Sequence, residues 1–142
     1  MKDPSDNIRD WLYTLLNGNV SYGGSDVSVY SFPPKDETFP YIVIGEQSMT
    51  GEGESTKDAY ITEHEVVIEI WDSYSGNDAS YVKANTIADS ILQLVRVRTA
   101  ITITGYNVIR LLADSMVTER ILTEKEIIIY KSILIRLLLE ES

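Results

Sequence analysis

Residues 123–139 constrain the fold more than any other stretch, because they read as one long strand that is apolar on both faces. Ile127, Ile129, Ile133, Ile135 and Leu137 fall on one face, and Ile128, Tyr130, Leu134 and Leu138 on the other. A strand that alternates apolar and polar residues can leave one face in water. This one would then expose a row of large apolar side chains. It therefore needs a cover on each side, supplied by a helix of the same chain or by a neighbouring subunit.

The rest of the chain supplies helices and further strands. Ile8, Trp11, Leu12, Leu15 and Leu16 form one apolar stripe at helical spacing, with Asp3-Pro4 to start the helix and Asn17-Gly18 to stop it. A glycine-rich turn over 22–26 leads into a short strand around Val27 and Val29, which the Pro33-Pro34 pair ends. Phe39–Glu46 reads as a strand buried on both sides. Tyr60–Asp72 alternates, with Val66, Ile68 and Ile70 on one face and Glu63, Glu65, Glu69, Val67 and Trp71 on the other. Residues 40–72 thus form a long hairpin whose tip, 50–58, is acidic and has no large apolar side chain. Residues 73–78 cap a second helix, whose buried stripe is Ala84, Ile87, Ala88, Ile91, Leu92 and Val95, with Arg96 and Arg98 at its C-terminal end. Tyr106–Leu112 is a fourth strand, and Ala113–Met116 is expected to turn the chain. The order α-β-β-β-α-β-β has no repeated βαβ unit. It predicts an α+β fold, a mostly antiparallel sheet with two helices packed on one side, in a single domain over 1–142.

Composition narrows the function. At 142 residues and 44% hydrophobic, the chain can bury one core. No apolar run approaches the roughly 18–20 residues of a membrane-spanning helix, and the N-terminus lacks the apolar centre of a signal peptide. The absence of cysteine excludes disulfides, zinc ribbons and thiol nucleophiles. Twelve basic and 22 acidic residues give a net charge of −10, against a tight grip on a nucleic-acid backbone. The imbalance is local: residues 1–90 carry 16 acids and 5 bases (net −11), and residues 91–142 carry 6 and 7 (net +1). Such a chain can present two different surfaces.

Chemistry-bearing motifs are few. His64, the single histidine, reads as a partly exposed strand residue; Glu63 and Glu65 point to the opposite face and form no His–carboxylate pair with it. No Gly-x-Ser-x-Gly turn offers a nucleophile. Gly51-x-Gly53 lacks the lysine of a phosphate loop, and its acidic neighbours repel phosphate. Glu52, Glu54 and Asp58 offer oxygen ligands, but not at the spacing of a calcium loop. The residues therefore assign no catalytic, cofactor or metal site.

Three segments carry a resemblance. They are Thr38-Phe39-Pro40-Tyr41-Ile42-Val43-Ile44-Gly45-Glu46, then Glu65 to Gly76 through Trp71-Asp72-Ser73-Tyr74, and Val82 to Ile91. Across roughly residues 5–137 the chain resembles the tail-completion or tail-terminator family of tailed bacteriophages. The resemblance implies a structural virion subunit at the head-tail junction, made in the host cytoplasm. It implies a homo-oligomeric ring, six-fold or twelve-fold, that caps the tail and joins it to the capsid connector. DNA would pass through the ring without specific binding, and the partners would be neighbouring neck, connector or tail-tube proteins, with no membrane and no cofactor.

An acidic channel suits that picture, because it repels the phosphate backbone. Ring contacts are heterologous and need two unlike faces. Glu46, Glu52, Glu54, Lys57 and Asp58 are the expected channel or ring-contact loop. Ile128, Tyr130, Leu134 and Arg136 are the expected subunit interface. The alternatives are a monomeric adaptor or chaperone-like factor for tail assembly, and a metal-dependent hydrolase built on Glu52, Glu54 and Asp58.

Overall fold

The computed structural model describes residues 3–32, 35, 38–50, 60–75, 80–96 and 102–142. Among them the order is α1 (Ser5–Leu16), β1 (Ser21–Tyr22), β2 (Ser25–Asp26), β3 (Ser28–Tyr30), β4 (Tyr41–Thr50), β5 (Ile61–Tyr74), α2 (Val82–Val95), β6 (Tyr106–Leu122) and β7 (Ile127–Glu141). Strands β1 and β2 form a small hairpin turned by Gly23 and Gly24, both at positive φ, which glycine adopts without steric strain. The other five strands form one sheet in the order β3-β4-β5-β7-β6. Its pairs are antiparallel except β3–β4, which is parallel. The α+β architecture and the long hairpin are those the sequence predicts, with the β1–β2 hairpin added.

Asp3 starts α1 by accepting the Ser5 backbone N–H at 3.0 Å, and Ile8, Trp11, Leu12 and Leu16 line its buried face. On α2 the buried positions are Ala84, Ile87, Ala88, Ile91 and Val95. These side chains join Ile42, Ile44, Val66, Ile68, Ile70, Ile129, Ile133, Ile135 and Leu137 in one core. One face of the sheet is thus covered by both helices. β7 is an interior strand, flanked by β5 and β6 along nearly its whole length.

Four expectations need correction. His64 is buried, 2% exposed, because it shares the parity of Val66 and Ile68 and faces the core, where its Nε2 lies 2.7 Å from Thr62 Oγ1. Ser73 and Tyr74 belong to β5 and do not cap α2; residues 76–78 of the expected cap lie outside the described residues, and the Ser80 hydroxyl accepts the Val82 N–H at 3.1 Å. Ala113–Met116 is not a turn. β6 runs through it, and a register shift between Ala113 and Ser115 absorbs an extra residue while the strand stays paired to β7. The turn lies instead at 123–126, where the Thr123 N–H bonds the Glu126 carbonyl at 3.0 Å, so β7 starts at Ile127 and not at Thr123.

Candidate assembly surface

The sheet face away from the helices is built from the odd residues of β5 and the even residues of β7. Cross-strand partners there are Ser73–Ile128, Trp71–Tyr130, Glu69–Ser132, Val67–Leu134, Glu65–Arg136 and Glu63–Leu138. Ile128, Tyr130, Leu134 and Arg136 therefore share one face, as the strand period predicts, and each is half-buried. Among the described residues no helix covers them. Their partial burial comes from lateral neighbours in the sheet.

An aromatic row crosses this face. The ring centroid of Tyr30 on β3 is 6.1 Å from that of Tyr41 on β4, which is 5.1 Å from Phe39 and 6.4 Å from Trp71 on β5. Trp71 in turn lies 4.6 Å from Tyr130 on β7. Such contacts add about 0.5–1.5 kcal/mol each beyond area burial and hold the strands in register. Burial pushes the Tyr41 and Tyr130 phenols up, and the Glu69 carboxylate adds to both shifts.

Beyond Leu134 the face turns ionic. The Arg136 guanidinium lies 2.8 Å from Glu65, 3.5 Å from Glu63 and 3.2 Å from Asp114, and Arg110 approaches Glu63 at 3.8 Å. The hydrogen bond to Glu65, with Asp114 beside it, raises the Arg136 pKa, so this cation stays charged. The cluster ties β5, β7 and β6 together.

At the β3–β4 end, Arg9 of α1 donates to the carbonyls of Gly45 (2.7 Å), Ser31 (3.2 Å) and Ile44, and to Gln47 Oε1 (3.1 Å). It thereby satisfies the backbone of a bulge between Ile44 and Gln47. Beside it opens a cavity of about 670 Å³ lined by Phe32, Val43, Glu46, Glu69 and Arg9. Burial raises the Glu69 pKa, and Glu46 adds to the shift. A Cβ on Gly45 would lie 2.5 Å from Glu69 Oε2 and 3.2 Å from the Val67 carbonyl, so a side chain here would push the Glu69 carboxylate aside and crowd the β5 backbone.

Of the expected loop residues, Glu46 is exposed on β4 at this cavity; Glu52, Glu54, Lys57 and Asp58 lie outside the described residues. Sequence reasoning missed Arg9 and the aromatic row. The hairpin register that sets Tyr41 opposite Trp71 would have found the row. On the other face, Asp72 is buried with Lys83 at 3.7 Å, and that ammonium lies 5.4 Å and 5.5 Å from the Tyr22 and Tyr74 rings. Burial and the neighbouring Asp72 carboxylate push the Tyr74 pKa up to about 12. This is a strand–helix tie. Among the described residues, no three His, Asp or Glu side chains are grouped to hold a metal ion.

The family model described as tail completion protein gp17 matches residues 6–120, from α1 into β6. A chain of a solved structure titled "Virion of native gene transfer agent (GTA) particle" shares the fold, with a TM-score of 0.64 at 16% identity. The match covers 96% of this chain and 91% of that one. No curated protein sequence matches significantly.

Proposed function

Because the chain belongs to the tail completion protein gp17 family, and so to the structural proteins of phage tails, we propose that it forms a ring at the head-tail junction. There it completes the tail and joins it to the capsid connector, acting by assembly and not by catalysis. The observation that carries this reading is the family match, which takes in both helices and the sheet from β3 into β6. The fold shared with a chain of the gene transfer agent virion, whose title names a virion particle, supports it.

The partners are further copies of the chain and the neighbouring neck, connector or tail-tube proteins. Ile128, Tyr130, Leu134 and Arg136 form the contact with the next subunit or ring, supported by their half-buried, helix-free face. The loop containing Glu52, Glu54, Lys57 and Asp58, with Glu46 at its base, faces the channel, supported by the net charge of −10 and the repulsion between acidic walls and phosphate.

Gold-labelled antibody against the chain, imaged on intact and disassembled particles, tests the reading. Several labels at the head-tail junction are expected. Particles that contain the other tail proteins but carry no label would overturn it and favour an assembly factor that leaves the finished tail. Cross-linking from Lys57 that reached only the outer particle surface would refute the channel-facing loop.

A further inference from the structure

Among the described residues the sheet has β3 and β6 as its edges, and β6 is the long one, 17 residues. Leu112, Met116, Val117, Ile121 and Leu122 on it are 38% to 66% exposed. A long apolar edge is a template for another strand, and proteins blunt such edges with charges and bulges. β6 has both, in a self-complementary arrangement. Its register with β7 puts Arg110, Leu112, Val117 and Glu119 on the helix-free face, and Leu111, Ala113, Met116 and Thr118 on the helix face.

We propose that two copies of this chain pair β6 to β6, antiparallel, about a two-fold axis at the Ala113–Ser115 bulge. Arg110 then meets Glu119 of the second copy, Leu112 meets Val117, Leu111 meets Thr118, and Ala113 meets Met116. Each of these four pairs joins residues of the same face, and symmetry makes each occur twice; the match spans Arg110–Glu119 and ends at the second register shift, between Val108 and Arg110. The bulges of the two strands coincide at the axis, where a straight foreign strand would lose register. This register sets Arg110 opposite Glu119 twice, and opposite charges placed across strands are favourable where like charges are not. Glu119 has no cation partner among the described residues. Arg110 is half exposed and its ion pair with Glu63 is long, at 3.8 Å, so a second carboxylate can share this cation. Asp114 near the axis is neutralised by Arg136 at 3.2 Å. The product is one continuous sheet across two subunits.

This pairing is isologous and closes at two copies, so it describes the free subunit and not the head-to-tail contacts of the proposed ring. Sedimentation equilibrium of the purified full chain tests it. A concentration-dependent dimer is expected. Arg110→Glu and Glu119→Arg should each weaken it by about tenfold, since the two symmetric repulsions act together. The double variant should restore it. The chain has no cysteine, so register can be read directly: Leu112→Cys with Val117→Cys in one chain should form an intermolecular disulfide, and neither change alone should. A monomer, a dimer indifferent to both charge reversals, or efficient cross-linking by Val117→Cys alone would overturn the proposal. None of these outcomes touches the head-tail reading, which rests on particle labelling.

Discussion

The two faces of the sheet are stabilised differently. The helix-covered face is almost entirely Ile, Leu and Val, with Ile42, Ile44, Val66, Ile68, Ile70, Ile133 and Ile135 fully buried. It draws stability from apolar burial, at about 25 cal/mol per Å². The helix-free face has an aromatic row at one end and an Arg136-centred ion cluster at the other, with half-buried residues between. Its contacts run within the sheet plane. One face is complete in the subunit, and the other still has surface to give a partner.

Deleting a side chain from each face tests that difference. Ile68→Ala should lower the stability of the free subunit by about 2–5 kcal/mol in urea denaturation, because its site is closed on all sides. Leu134→Ala across the sheet should cost clearly less, since water already reaches part of its surface. Equal losses would break the comparison. Arg9→Ala comes next, at about 1–3 kcal/mol, because the Gly45, Ser31 and Ile44 carbonyls lose a shared donor at a place where the chain is bulged. Arg9→Lys should recover only part of that loss, since an ammonium cannot span the same acceptors with a planar fork.

Legibility in the sequence divides the same way. The covered face can be read from residue spacing alone: the α1 and α2 stripes and the 66/68/70 parity of β5 are dictated by burial, which imposes a period. That same parity places His64 inside. Its acidic neighbours suggest exposure, yet on a strand they describe the opposite face. β6 defeats the period for a physical reason. An edge strand has no second partner to discipline it, and each bulge flips the parity of the residues beyond it, so Ala113-Asp114-Ser115-Met116 looks like a turn. The parallel β3–β4 pair leaves no trace, because three residues are too few for a pattern. On the candidate surface, Ile128, Tyr130, Leu134 and Arg136 are legible as one face. The ion cluster and the role of Arg9 are not, since both depend on register between distant segments.

His64 probes the covered face through pH. Burial lowers its pKa below the ordinary 6.5, with Asp3 opposing the shift. The fold therefore favours the neutral ring. That stability is present above pH 6.5, and it is lost as pH falls through the lower folded-state pKa. Urea midpoints across roughly pH 7.5 to 5 should fall more steeply for the parent than for His64→Gln, which has no titrating group there. Parallel curves would mean that the imidazole reaches water and that this face is less closed than its geometry.

Ile128→Glu gives the smallest change in subunit stability and the sharpest view of the open face. Ile128 is half-buried with no helix over it, so a carboxylate there can remain hydrated, and the loss should stay below about 1 kcal/mol. Its cross-strand neighbours Ser73 and Ile121 are not anionic, and the nearby Glu126 carboxylate accepts the Ser73 hydroxyl. Any contact that buries this face against another protein would enclose the new charge without a cation, a penalty of several kcal/mol. The expected outcome is a folded, soluble subunit that no longer enters particles in a complementation assay. Normal incorporation with unchanged stability would show that this face stays in water in the assembled virion, and the interface would have to be sought elsewhere on the subunit.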